Sequence, residues 1–366
     1  MQLLVTTNWD DKLLEGLDPK VVSWISGRLP RDPVGGNCIT PENMVKRINK
    51  KGVETYIKKI HKKNMKFNYL LDGHCTGNKE YGWYGADKIL QMVKWISDSG
   101  ADGVTVVLPH LVQLIKKDYP HLKVGFGSVR GLWELTRIKY YDKEGVDWTL
   151  LHAPAIRNFR LLRVIRNAVK CDLWLVANSA CLLYCNFGYD HDNYISHATN
   201  YTAEFTFTDY FHLNCYKTML EKPEELIKSP WIRPEDLSAY EKIGYDKFFI
   251  LPNGADTKSL LQAINAYKDR HYAGNLLDLL SASGRKICQA KGGGFAKGAP
   301  RISNERLEGM IEFFISKKED CRRLLCSECG YCLDLAKQCV TWPDSKARKQ
   351  LLKKYREKIE RIEDGR

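Results

Sequence analysis

The chain has 366 residues, 44% of them hydrophobic, and a formal net charge of +13. That length allows one large domain with an extension, or two ordinary domains. No run of about 18 apolar residues occurs, which excludes a membrane-spanning helix. Met1 to Asp11 carries neither a basic leader nor a cleavage site, so the expected location is cytoplasmic.

In chain order, short apolar and β-branched runs fall at Gln2–Thr7, Val21–Ser26, Phe67–Leu71, Gly103–Leu108, Lys123–Gly127, Gly145–Leu151, Asp172–Val176 and Lys247–Leu251. Each has the usual length of a strand. Helical patterns separate most of them, among them Ala86–Ser99, Leu111–Tyr119, Val129–Lys143 and Asn158–Lys170. Near-continuous apolar strands alternating with amphipathic helices predict a parallel sheet covered on both faces. Eight such units predict a (β/α)8 barrel over residues 1–272. An open, doubly wound sheet is the competing architecture. It would place a glycine-rich turn after the first strand, where this chain has Thr6-Thr7-Asn8-Trp9-Asp10.

The spacing breaks once, between the seventh and eighth strands, where residues 177–246 form an insertion. In a barrel this segment emerges at the catalytic face. After the helix expected at Asp256–Arg270, residues 273–366 form an extension. It holds a Gly-rich segment (Lys291–Gly298), which reads as a linker, a cysteine cluster and a basic, amphipathic helix at Ser345–Ile362. The basic excess suits a polyanion such as RNA, or an anionic small molecule. Part of it is local, since Lys346 to Arg366 holds nine Lys/Arg against four Asp/Glu.

Twelve cysteines in a chain of this size, with no secretion signal, point to metal rather than to disulfides. The insertion carries Cys181, Cys185 and Cys215. Three thiolates are one short of the four that a 4Fe-4S cluster takes. Cys75, at the end of the third strand in Asp72-Gly73-His74-Cys75, is the first choice for the fourth ligand, and Cys38 is the second. The extension carries Cys321, Cys326, Cys329, Cys332 and Cys339. The two-residue spacings of Cys326, Cys329 and Cys332 are those of ferredoxin-type ligation, with Cys321 or Cys339 as fourth ligand. Structural zinc is the competing reading for this group. Buried core thiols are the competing reading for the first group.

Polar residues follow the expected strands directly: Asp72 and His74 after the third, His110 after the fourth, Arg130 after the fifth and His152 after the sixth. Catalytic residues of barrels come from such positions. Arg130 suits a carboxylate co-substrate, and His152 or His74 suits proton transfer near neutral pH.

The plan of eight strands resembles the collagenase-like peptidase family U-32. So do the turn Asn178-Ser-Ala-Cys181-Leu-Leu-Tyr-Cys185 after the seventh strand, the later Cys215, and the segment Trp231-Ile-Arg-Pro-Glu-Asp-Leu237. The resemblance covers about residues 1–270. It implies an enzyme with a 4Fe-4S cluster on Cys181, Cys185, Cys215 and Cys75 or Cys38. Better-understood members resemble oxygen-independent hydroxylases of RNA or of a quinone precursor. The family does not account for the five cysteines of the extension. The expectation is therefore an iron–sulfur barrel enzyme of redox or hydroxylase type, served by an electron-transfer partner. A hydrolase, as the family name states, and a non-catalytic RNA- or protein-binding module are the alternatives. No Ser-His-Asp motif or HExxH helix is visible in support of hydrolysis.

Overall fold

The computed structural model describes residues 1–36, 48–127, 132–151, 153–200, 210–252, 256–281, 297–316, 321 and 326–365. Eight parallel strands close into a barrel in sequence order: β1 (Gln2–Thr6), β2 (Val22–Gly27), β3 (Lys66–Leu71), β4 (Gly103–Val106), β5 (Lys123–Phe126), β6 (Trp148–Leu150), β7 (Asp172–Val176) and β8 (Lys247–Ile250). β1 pairs with β8 as well as with β2, with Leu3 opposite Phe248 and Val5 opposite Ile250, and this pairing closes the ring. The architecture is the (β/α)8 barrel, and the open sheet is excluded by that closure.

The period of two along each strand sorts the side chains into two cores. Leu3 and Val5 point out and join the large core between sheet and helices. Leu4 points in, with Trp24, Trp148, Leu150, Trp174, Val176 and Phe249. Inside the barrel, Trp148 and Trp174 stack at 4.6 Å with their planes 1° apart, and Trp24 tilts against Trp148 at 5.4 Å. Two glycines make room for this plug. A Cβ on Gly125 would lie 1.9 Å from Trp148 Nε1, and one on Gly103 would lie 2.7 Å from its ring. Beside the plug, Asn68 donates to Ser26 Oγ at 3.1 Å and to Thr105 Oγ1 at 2.9 Å, so a buried polar layer spans three strands with its partners satisfied.

The insertion between β7 and β8 holds helices Gly188–Ala198, Tyr210–Glu221, Glu224–Lys228 and Leu237–Glu241. The extension folds back on it. The C-terminal helix Ser345–Glu363 packs on Tyr210–Glu221, with Arg356 paired to Glu221 at 2.7 Å and Arg348 Nε donating to the Leu220 carbonyl at 3.0 Å. This helix is an amphipathic packing element, as its spacing predicts. Helix Tyr331–Cys339 packs on Glu224–Lys228, and the short strands Arg301–Ile302 and Val340–Thr341 pair antiparallel. Gly298 approaches the backbone of Ala347 so closely that a Cβ would sit 2.6 Å from it. The rest of the Gly-rich segment, up to residue 296, lies outside the described residues. Among the described residues no helix is long and apolar enough to cross a membrane.

The strands emerge within a residue or two of the predicted runs. The clearest difference is β6, which is only Trp148–Leu150 where a run from Gly145 to Leu151 was expected. Gly145 has φ +81 and ends the preceding turn, so it cannot open the strand.

Candidate metal centre at the barrel mouth

The loops after β6 and β7 meet the extension around a cavity of about 490 Å³. Cys321, Cys326, Cys329 and Cys332 all line it, together with Arg157 and Phe159 from the β6 side and Leu183 and Tyr184 from the β7 turn. Local structure explains how closely spaced cysteines share one cavity. Cys326 and Cys329 bound a single helical turn. Gly330 then adopts φ +65, a left-handed conformation that favours glycine, and a new helix begins at Tyr331. The chain direction changes between Cys329 and Cys332, so both reach the same space. Tyr331 is held by stacking on Phe313 at 3.7 Å.

The two candidates for the fourth ligand of this set separate in space. Cys321 lines the cavity, whereas Cys339 is buried elsewhere and its Sγ donates to the Arg306 carbonyl at 3.2 Å. Burial pushes the Cys332 thiol up, and Arg157 and Lys228 pull it back toward the thiolate, against Cys321 and Cys329.

Two cations at this cavity are not evident from sequence reasoning. Arg157 precedes Asn158, which caps helix Phe159–Ala168 by accepting from the Leu161 amide. The cap places Arg157 under the cavity, where it is 8% exposed. Its Nη2 donates to the Ser229 carbonyl at 2.7 Å and its Nη1 to the Ile227 carbonyl, while Nε is buried without a hydrogen-bond partner. Lys228 lines the same cavity, paired to Glu225 at 2.8 Å and acted on by Cys326. The signal available in the sequence was weak, because a single Arg after a strand resembles any rim residue.

A 4Fe-4S cluster fits this cavity on two counts. Four cysteines ring it, and a buried guanidinium nitrogen there lacks a partner. Among the described residues no three His, Cys, Asp or Glu side chains converge closely enough to hold a single metal ion. A mononuclear zinc site needs four sulfurs about 2.3 Å from one centre, whereas a cluster spreads its thiolates around a larger core.

The other predicted set is not gathered into a ligand group. Cys75 lies in the loop after β3, where its Sγ accepts from the Gly77 amide at 3.4 Å. Cys181 is exposed, and its carbonyl accepts from Ser229 Oγ at 2.8 Å. Cys185 is half-buried, ahead of helix Gly188–Ala198. Cys215 is half-buried within helix Tyr210–Glu221, packed against the main core. Cys38, Arg130 and His152 lie outside the described residues. His74 faces the insertion: its ring stands 3.8 Å from Asp192 and its amide donates to Ser196 Oγ at 2.7 Å. His110 is half-buried, and burial lowers its pKa against the pull of Glu80. Beyond Cys75, the same loop and the helix after it expose Tyr81, Trp83 and Tyr84, with Lys88 over the Tyr84 ring at 4.3 Å.

The segment Trp231–Leu237 and Asn178 have structural work that sequence alone did not specify. The buried Arg233 donates to Asn304 Oδ1 at 3.1 Å and to the Leu307 carbonyl at 3.0 Å, which ties the extension to the insertion. Asn178 bonds both the amide and the carbonyl of Leu251, at 2.8 and 2.9 Å, and joins the ends of β7 and β8 to Leu279. After β2, Arg28 pairs with the fully buried Asp32 at 2.9 Å, and Tyr69 donates to the same carboxylate at 3.1 Å.

An eight-stranded parallel barrel, with a cysteine-ringed cavity among its post-strand loops, defines a (β/α)8 protein whose chemistry sits at the C-terminal ends of the strands. The chain is 29% identical over 303 residues to the uncharacterized protease MJ1657 of Methanocaldococcus jannaschii, covering 82% of each chain. The solved structure of the U32 peptidase Mk0906 superposes with a TM-score of 0.51 at 18% identity, over 68% of this chain and 91% of that one, and shows the shared fold. No protein-family profile matches the chain. The two likenesses together support membership of the collagenase-like U-32 peptidase family.

Proposed function

We propose that the chain is an iron–sulfur enzyme of redox type on a U-32 barrel. Its reaction is oxygen-independent hydroxylation or a related modification of RNA or of a small anionic or aromatic substrate. The observation that carries this reading is the ring of Cys321, Cys326, Cys329 and Cys332 around one cavity, beside the buried Arg157, at the end of the barrel where substrates bind. A bound 4Fe-4S cluster supplies one-electron transfer there. The chain's own residues do the rest. The thiolates hold the group, Arg157 and Lys228 offset its negative charge, and Phe313, Tyr331 and Tyr184 limit access of water. The exposed Trp83 with Tyr81 and Tyr84, on a chain of net charge +13, suits stacking on unpaired bases and supports the RNA alternative. An electron-transfer partner is part of this reading.

The test is anaerobic preparation with iron and sulfide, followed by metal and sulfide analysis and paramagnetic resonance. The extension set should bind about four iron and four sulfide per chain. A further set of about four, lost in a Cys181→Ala/Cys185→Ala variant, is what the family resemblance implies. Zinc alone, with no iron retained, ends the redox reading. One observation favours a hydrolase instead, namely that the curated relative is called a protease. Peptide cleavage by metal-free protein, unchanged by the cysteine substitutions, would select that reading.

A further inference from the structure

We infer that Arg157, aided by Lys228, is the built-in counter-charge of the thiolate set Cys321, Cys326, Cys329 and Cys332, and so a positioning residue that sets how tightly a cluster is held and at what potential it is reduced. The inference rests on the reading above, that these cysteines hold an iron–sulfur cluster.

A guanidinium that is almost wholly buried is costly unless an anion faces it. Among the described residues, no carboxylate forms an ion pair with Arg157. Its two terminal nitrogens go to neutral carbonyls, those of Ile227 and Ser229. Its flat faces are covered by the rings of Trp231 at 4.6 Å and Phe314 at 5.2 Å. Its Nε is buried and unused. These contacts explain why the side chain is ordered, but not why it is charged.

The groups that favour its charge are Cys332, Tyr240, Cys321 and Asp236, set against the burial that disfavours it. Burial drives the Tyr240 hydroxyl far above its ordinary range, so that group is neutral. Burial likewise lifts Asp236 to about 6, which weakens its contribution near neutral pH. The remaining anions are the cavity thiolates. The relation is reciprocal, because among the charges acting on Cys332 the first that favours its thiolate is Arg157. Four thiolates holding a cluster carry net negative charge, and removing a nearby cation disfavours the more negative, reduced form.

The experiment uses the full-length protein, loaded anaerobically with iron and sulfide, and compares wild type with Arg157→Gln, Arg157→Lys and Lys228→Gln. Three quantities are read: the midpoint potential, the rate of iron loss to a chelator, and the unfolding midpoint of metal-free protein. Arg157→Gln should lower the ratio of reduced to oxidised cluster at a fixed potential about tenfold, a shift of about 59 mV to more negative values. It should also speed iron loss. Arg157→Lys should stay near wild type, and Lys228→Gln should move in the same direction as Arg157→Gln by less. Unchanged potential and iron loss in Arg157→Gln, with only the unfolding midpoint lowered, would reduce Arg157 to an anchor for the Ile227–Ser229 turn and overturn the inference. If Arg157→Gln does not fold, unchanged potential and iron loss in Lys228→Gln overturn it equally. Full iron content in Cys329→Ala and Cys332→Ala variants is a different result: it removes the cluster from these cysteines, and the inference with it.

Discussion

Asp236 gives the most quantitative test of how the insertion is built. Its side chain is 7% exposed, with Arg233 at 3.6 Å. One carboxylate oxygen is buried without a hydrogen-bond partner. Burial outweighs the attraction of Arg233 and raises the carboxyl from 3.8 to about 6. At about 1.36 kcal/mol per pH unit, that displacement corresponds to about 3 kcal/mol. The sign follows from proton linkage. Between about pH 3.8 and pH 6 the folded state binds a proton that the unfolded chain has released, so stability falls as pH rises through this window. Above pH 6 the whole penalty is present, and well below pH 4 it is gone. Asp236→Asn removes the titration. Urea unfolding of wild type and Asp236→Asn, measured from pH 4 to pH 7.5, isolates the effect as the difference between the two curves, since all other titrating groups are shared. The variant should gain on wild type by about 2 kcal/mol as pH rises from 4 to 7. A difference that stays constant across that range would refute the claim that this carboxylate is buried at a cost.

Two further substitutions probe the frame that holds the site. Gly125→Ala drives a methyl into the Trp148 indole, where the stacked Trp174 prevents retreat. It should cost about 3 kcal/mol through overpacking, read as a lower thermal midpoint, and a neutral result would mean that the indole pair repacks. Asn178→Ala strips three hydrogen bonds from a fully buried junction between β7, β8 and Leu279. The expected loss is about 3 kcal/mol in urea with an unchanged slope, and a change under about 0.5 kcal/mol would show that the junction is not what sets stability.

Much of the barrel was legible in the sequence, because parallel strands covered on both faces must be apolar along their length, and the intervening helices carry their own period. The run Cys326, Cys329, Cys332 was legible for a similar reason: its spacing is local, and Gly330 supplies the turn that makes it workable. Tertiary structure alone decided which partners those cysteines have. Arg157 is about 170 residues away in sequence, and nothing in its immediate neighbours marks it as buried. It becomes a partner because the extension folds across the loops after β6 and β7. The same long-range packing sent Cys321 to the cavity and Cys339 to the Arg306 carbonyl, a choice that spacing left open. Local pattern reports which face of an element is apolar. It does not report which distant segment will cover that face, and charge compensation in a buried site depends on that second fact.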